Sequence, residues 1–287
     1  MKVFVLGANG QLGYEFSNFL RDKAELFAFS RSELNMLDFE KLVNKFLELS
    51  PDVVINCAAY TKVDQSEKEE ETAYKVNVIG AKNVSYASFK INAKVVYFST
   101  DYVFDGMKNL PYNEFDEPNS ISVYGKSKLL GEIYTKEFNL NNLILRISWL
   151  YGINGFNFVK SIIRLAKEKG ELKVVNDQTG TPTYTLDVVK QTWKLIQGDS
   201  VGLYHSANLG RTTWFKFARR IVEKLNLNAK VVPIETDEFP ALAKRPNFSV
   251  LENYLLQLED KNIMRNWEEA FDDFIKTYGK ELLSGVS

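Results

Sequence analysis

Residues 2–16 read "KVFVLGANGQLGYEF": an apolar run, a turn carrying Gly7, Gly10 and Gly13, and then Leu12 and Phe16 at helical spacing. A strand that runs through a glycine turn into a helix is the context in which such glycines bind a dinucleotide. Glycine permits the tight turn and lets backbone approach a pyrophosphate, whose charge meets the exposed N–H groups and the positive end of the helix dipole. The spacing here is GxxGxxG rather than GxGxxG, so the reading rests on the flanking strand and helix.

The same rhythm repeats outward from that stretch. "ELFAFS", "PDVVINCAA", "AKVVYFST" and "NLILRIS" alternate with amphipathic helical segments, the pattern of βαβ units. Near-continuous apolar strands mean burial on both faces, hence a doubly wound (Rossmann-type) α/β fold with ligands at the carboxyl ends of its parallel strands. This domain is expected over residues 1–148, with return segments near 184–206. The longer helices "NFVKSIIRLAKEKG", "TLDVVKQTWKLIQ" and "TTWFKFARRIVEKLN" predict a smaller mixed α/β substrate domain, mainly 149–183 and 207–287. The acidic run "DQSEKEEE" reads as a solvated helix start without chemistry.

At the end of the second strand an NAD site usually carries Asp or Glu for the ribose 2′-hydroxyl; here "FAFSRSEL" offers Ser30 and Arg31. A hydroxyl followed by a guanidinium suits a 2′-phosphate better, so NADPH is the expected cofactor, with NADH the alternative.

The 287 residues, 45% hydrophobic, carry a formal net charge of −1 with interspersed signs. That leaves no electrostatic footprint for nucleic acid or for a membrane surface, and points to a small-molecule partner. No apolar run reaches the length of a membrane span, and "MKVFVLGANG" enters a strand directly instead of offering a leader peptide, so a cytoplasmic protein is expected. One cysteine, Cys57, and one histidine, His205, exclude an internal disulfide and a Cys/His zinc site. Cys57 reads as core filler and His205 as structural.

"NSISVYGKSKLLGE", residues 119–132, places Tyr124 and Lys128 on one face at the start of a helix. Spacing alone leaves open a solvated helix face or an acid with its tuning charge, and a phenol is a reluctant proton donor at neutral pH. An ammonium roughly 4 Å away at an effective dielectric of about 20 favours tyrosinate by about 4 kcal/mol before desolvation is subtracted. The expectation is a phenol made more acidic by its lysine.

With "NCAAYTKVD", "YFSTDYVFDG" and "YGKSK" added to the glycine turn, the chain resembles the extended short-chain dehydrogenase/reductase family. Within it, "LRISWLYG", "GFNFVKSIIRLA", "NDQTGTPTY", "GLYHSAN" and "RPNFSVLEN" resemble the dTDP-4-dehydrorhamnose reductases along nearly the full length. The resemblance implies a catalytic triad of Thr100, Tyr124 and Lys128, with Tyr124 as proton donor. It implies cofactor contacts from the glycine turn (Gly10, Gln11, Leu12), from Ser30, Arg31 and Asp38, and from Ala59, Tyr60 and Thr61. It also implies sugar-nucleotide contacts from Thr100, Asp101 and Trp149, and reduction of dTDP-4-dehydro-6-deoxy-L-mannose to dTDP-L-rhamnose. Family members often carry Asp at position 30. Some bind a divalent metal at a dimer interface; Glu15 matches one ligand but Leu186 occupies another, so no metal is carried over and a homodimer is left open.

Arg245 in "KRPNFS" is the candidate for the substrate phosphates, and Asn157, Asp177 and Gln178 are further hydrogen-bonding candidates. Related dehydratases follow their Thr with Asp-Glu, whereas here Asp101 precedes Tyr102, so a plain carbonyl reduction is favoured over elimination. Two other readings are a reductase of a different 4-keto sugar nucleotide and a non-catalytic subunit resembling the beta subunit of methionine adenosyltransferase. "LRISWLYG" and "NDQTGTPT" favour the enzyme.

Overall fold

In the strand β1 (Lys2–Leu6), Val3 and Val5 enter one apolar cluster while Phe4 and Leu6 enter another. Successive strand side chains point to opposite faces, so this alternation shows a sheet covered on both sides. The computed structural model describes residues 1–285. The glycine turn leads into α1 (Gln11–Leu20), then β2 (Glu25–Phe29), α2 (Phe39–Leu49) and β3 (Val53–Asn56). β4 (Lys94–Thr100) and β5 (Asn142–Ile147) follow.

The main sheet has six strands in the order Gly202–His205, β5, β4, β3, β1, β2, and every pairing in it is parallel. The chain leaves β1 for β2 on one side and then crosses to β3 on the other. Ligands of open α/β sheets bind at that reversal, outside the carboxyl ends of the strands. The fold is the expected doubly wound α/β sheet.

Val3, Val5, Phe16 and Leu145 pack with Val188 and Val189 of the helix Thr185–Gln197 on one face. Phe4, Phe46, Val54 and Val84 form the other. A separate cluster, rich in aromatics, gathers Tyr151, Tyr184, Phe217, Phe271 and Phe274 from the second half of the chain.

Residues after β3 depart from the expected simple helix start. Short helices Val63–Ser66 and Glu70–Tyr74 lead into a π-turn, Lys75–Ile79, that continues as the helix Gly80–Lys90. The wider turn carries Asn77, which is 2% exposed, and π-turns of this kind gather at functional sites. The helix Val123–Phe138 starts where the sequence predicts, because the Ser122 hydroxyl accepts from the Gly125 N–H (3.1 Å). Among the described residues no helix is long and apolar enough to cross a membrane.

Candidate active site

The glycine turn closes tightly: Gly7 takes φ +76°, and a Cβ added at Gly13 would collide with the Gly7 carbonyl. Gly10 caps α1 without a side chain over its first N–H groups, which leaves them for an anion. Beside this turn a cleft of about 250 Å³ is lined by Gly7, Gly10, Arg31, Ala59 and Tyr60, among others. The cradle, the bare helix end and the guanidinium at the rim suit a dinucleotide carrying a 2′-phosphate.

Not every expected cofactor residue faces this cleft. Leu12 is buried in the core, so only its backbone can serve a ligand. Ser30 is buried, and its N–H and hydroxyl both donate to Glu33 Oε2 (2.8 and 2.6 Å). These bonds hold the Glu33 carboxyl below its usual range. Ser30 therefore shapes the turn, and Arg31 alone of the pair lines the cleft. Asp38 caps α2, accepting from the Lys41 N–H at 3.2 Å, outside the residues that line the cleft. Thr61 is exposed just beyond Ala59 and Tyr60. Gln11 Oε1 accepts from Asn157 Nδ2 (3.2 Å).

Thr100 ends β4, and its hydroxyl donates to Asp101 Oδ1 (3.0 Å) and accepts from the Tyr102 N–H (3.2 Å). Burial pushes the Tyr124 phenol up to about 12, against a hydrogen bond with Thr100 that lowers it, while the Asp101 carboxylate raises it further. This corrects the expected direction. Burial also pushes Lys128 down to about 7, against Glu132 and Cys57, which raise it. The Lys128 ammonium lies over the Tyr97 ring, 4.0 Å from its centroid. Desolvation outweighs the pairing that helical spacing suggests. Burial pushes Asp101 up to about 7, despite hydrogen bonds from Ser249 and Thr100.

Cys57 packs on the core but also lines the cleft, and burial pushes its thiol well above its ordinary value. His205 Nδ1 lies 3.1 Å from the carbonyls of Tyr112 and Glu252, and burial pushes the ring down to about 3.

Arg245 does not stand open for phosphate. Its guanidinium pairs with Asp64 (3.0 and 2.5 Å), and Asp64 Oδ1 also accepts from the N–H groups of Leu242 and Ala243. Asp64, expected to be merely solvated, is thereby the anchor of the 242–245 segment. Asp177 and Gln178 are both spent on Thr236. Trp149 stacks on Trp214, ring centroids 3.4 Å apart at 8°.

Several residues at the site escaped the sequence reading. Asn77 bonds Tyr60 N–H (2.8 Å), Tyr60 carbonyl (3.0 Å) and Ser127 hydroxyl (2.9 Å), tying the cleft wall to the Tyr124 helix. Its signal was a lone amide in the "AYKVNVIGA" stretch. Asn154 Nδ2 donates to the Asn9 carbonyl (2.8 Å), joining the second half of the chain to the glycine turn. Glu132 and Arg146 form a bidentate pair (2.9 and 2.8 Å) with side chains 2% and 4% exposed; a Glu at i+4 from Lys128 was legible, its partner on β5 was not.

A model of the RmlD substrate binding domain family matches residues 1–280. The spore coat polysaccharide biosynthesis protein SpsK of Bacillus subtilis is 39% identical over 96% of this chain and 97% of its own. A crystal structure of a dTDP-4-dehydrorhamnose reductase from Clostridium acetobutylicum is 44% identical with a TM-score of 0.95, covering 97% of this chain and 100% of that one. The dTDP-4-dehydrorhamnose reductase of Bacillus anthracis, solved in complex with NADP, is 42% identical with a TM-score of 0.94, covering 96% of this chain and 99% of that one. Matched end to end at these identities, the chain belongs to the RmlD substrate binding domain family, the family of the dTDP-4-dehydrorhamnose reductases.

Proposed function

We propose that the chain reduces the 4-keto group of dTDP-4-dehydro-6-deoxy-L-mannose to dTDP-L-rhamnose, with NADPH in the cleft beside the glycine turn. The observation that carries this reading is that Thr100 ends β4, the Lys128 ammonium lies 4.0 Å from the ring of Tyr97 on the same strand, and Asn77 ties the Tyr124 helix, through Ser127, to the cleft-lining Tyr60. Gly7, Gly10 and Arg31 would hold NADPH, which when bound would supply the hydride for the ketone carbon. Tyr124 Oη gives its proton to the ketone oxygen, and the Thr100 hydroxyl holds that oxygen in line. Lys128, as a cation, stabilises the tyrosinate left behind. Asp101, 2% exposed beside Thr100, is the acceptor we assign to a sugar hydroxyl. Residues 149–183 and the described part of 207–287 mainly form the sugar-nucleotide domain in this reading, beside a dinucleotide domain of 1–148 with return segments near 184–206.

The test is loss of nicotinamide absorbance when purified protein meets NADPH and dTDP-4-dehydro-6-deoxy-L-mannose. No turnover with this substrate, but turnover with another 4-keto sugar nucleotide, would reassign the sugar and keep the chemistry.

Cofactor choice gives a separate prediction. Because Ser30 is committed to Glu33, Arg31 carries the preference. A charge-assisted bond contributes about 1.5–3 kcal/mol, so Arg31→Ala should raise the KM for NADPH roughly 10- to 100-fold while that for NADH changes little. An unchanged NADPH-to-NADH ratio of kcat/KM would mean that Arg31 does not meet the 2′-phosphate.

A further inference from the structure

We propose that Tyr102 is a positioning residue, which holds the Tyr124 ring at the angle from which its hydroxyl meets the ketone oxygen. The inference rests on the assignment of Tyr124 as proton donor and extends it to a residue that entered the sequence reading only to set elimination aside.

Tyr102 touches both side chains of the proposed proton path. Its N–H donates to the Thr100 hydroxyl (3.2 Å). Its ring meets the Tyr124 ring in an edge-to-face contact, centroids 5.9 Å apart at 75°. Its carbonyl lies against Gly125, the next residue of the Tyr124 helix, where an added Cβ would collide with that oxygen. The Tyr102 backbone thus sets how close the helix comes, and its ring sets how the phenol turns.

The phenol needs such a stop. Tyr124 carries its hydroxyl at the far end of a rigid ring, so a small turn about the Cα–Cβ bond takes it out of the narrow range in which a proton is handed over. The Ser122 hydroxyl fixes the start of the helix, but that cap acts on backbone alone. An edge-to-face partner restricts the ring itself.

Tyr102 is in turn held by its neighbours. Next to it in the chain, Val103 and Phe104 are fully buried in a cluster with Tyr112 and Leu251, against which Leu129 of the Tyr124 helix packs. The segment anchored by Asp64 packs on the same turn, since a Cβ at Gly106, which takes φ +82°, would collide with Pro246 and the Asn247 backbone. The Arg245 guanidinium, fixed by Asp64, shares a hydrogen bond with the Tyr102 phenol. Arg245, read from the sequence as a phosphate ligand, thus meets the site through Tyr102.

The test compares Tyr102→Leu and Tyr102→Phe with the wild type in the NADPH oxidation assay, with urea unfolding as the control for folding. Tyr102→Leu removes the ring and should lower kcat about tenfold, the upper end of what an aromatic edge contact contributes. Both KM values should stay within about twofold of wild type, because Tyr102 acts through Tyr124 and not on either ligand. Tyr102→Phe keeps the ring and should return kcat to within about threefold of wild type. A Leu variant with wild-type kcat overturns the proposal. So does a Phe variant as slow as the Leu variant, which would give the role to the hydroxyl. A raised sugar-nucleotide KM at unchanged kcat is equally adverse, since it would put Tyr102 in contact with the substrate. A parallel change of kcat and both KM values in the two variants is the mark of a merely structural residue and also overturns it. If Tyr102→Leu does not fold, Tyr102→Met, which lacks a ring but fills more of its length, must show the same fall in kcat. Failure of the wild type to reduce any 4-keto sugar nucleotide would instead count against the function proposed above.

Discussion

Tyr124→Phe is expected to lower kcat by about 10²–10⁴-fold while NADPH binding stays intact, because one positioned acid contributes on that order. The phenol is the only group argued to hand a proton to the ketone oxygen, and its removal leaves Thr100 and Asp101 in place around the same position. Nicotinamide absorbance under saturating substrate reads kcat, and fluorescence of bound NADPH reads the cofactor. A variant retaining a third of wild-type turnover would take the tyrosine out of its role. The pH profile adds a sign. In the free enzyme Tyr124 keeps its proton up to about 12, whereas Lys128 holds its own only below about 7. The proton donor is therefore present throughout, and the cation that supports it is lost as pH rises. On this basis kcat/KM for the sugar nucleotide should fall above about 7 as Lys128 loses its proton and fall below about 7 as the Asp101 acceptor gains one, and Lys128→Met should remove the alkaline fall at a lower level. A kcat/KM that climbs between pH 7 and 8 would contradict the assignment.

Glu132→Gln is the substitution expected to cost most in stability. Its carboxylate makes two bonds to Arg146, and both side chains are buried. Removing one partner strands a guanidinium in the interior, at a cost of about 3–5 kcal/mol. The position of Arg146 aggravates this, since it sits on β5 inside the sheet, 5.1 Å from the Phe104 ring and 3% exposed. Urea unfolding should show the midpoint falling at unchanged m-value. The double variant Glu132→Leu, Arg146→Met removes both charges and should recover most of the loss, because well-packed apolar pairs replace buried ion pairs at little cost. A single variant within about 1 kcal/mol of wild type would mean that Arg146 finds another partner. Glu132 also raises the Lys128 pKa, so the same substitution should move the alkaline fall in kcat/KM to lower pH.

The amino-acid sequence by itself determined the doubly wound sheet, the glycine turn and the start of the Tyr124 helix. Each depends on local signals: apolar runs buried on both faces, glycines where backbone must approach backbone, and a serine that caps its own helix. Family motifs likewise marked Thr100, Trp149 and Arg245 from the chain alone. What the sequence could not decide were partners distant along it. Arg245 meets Asp64, 181 positions away; Glu132 meets Arg146 across a helix and a strand; Trp214 lies on Trp149. Nor could it give the sign of the Lys128 and Tyr124 shifts. Helical spacing reports that two groups share a face, but burial acts on each ionised form separately, and only the packed structure fixes how much water each has lost.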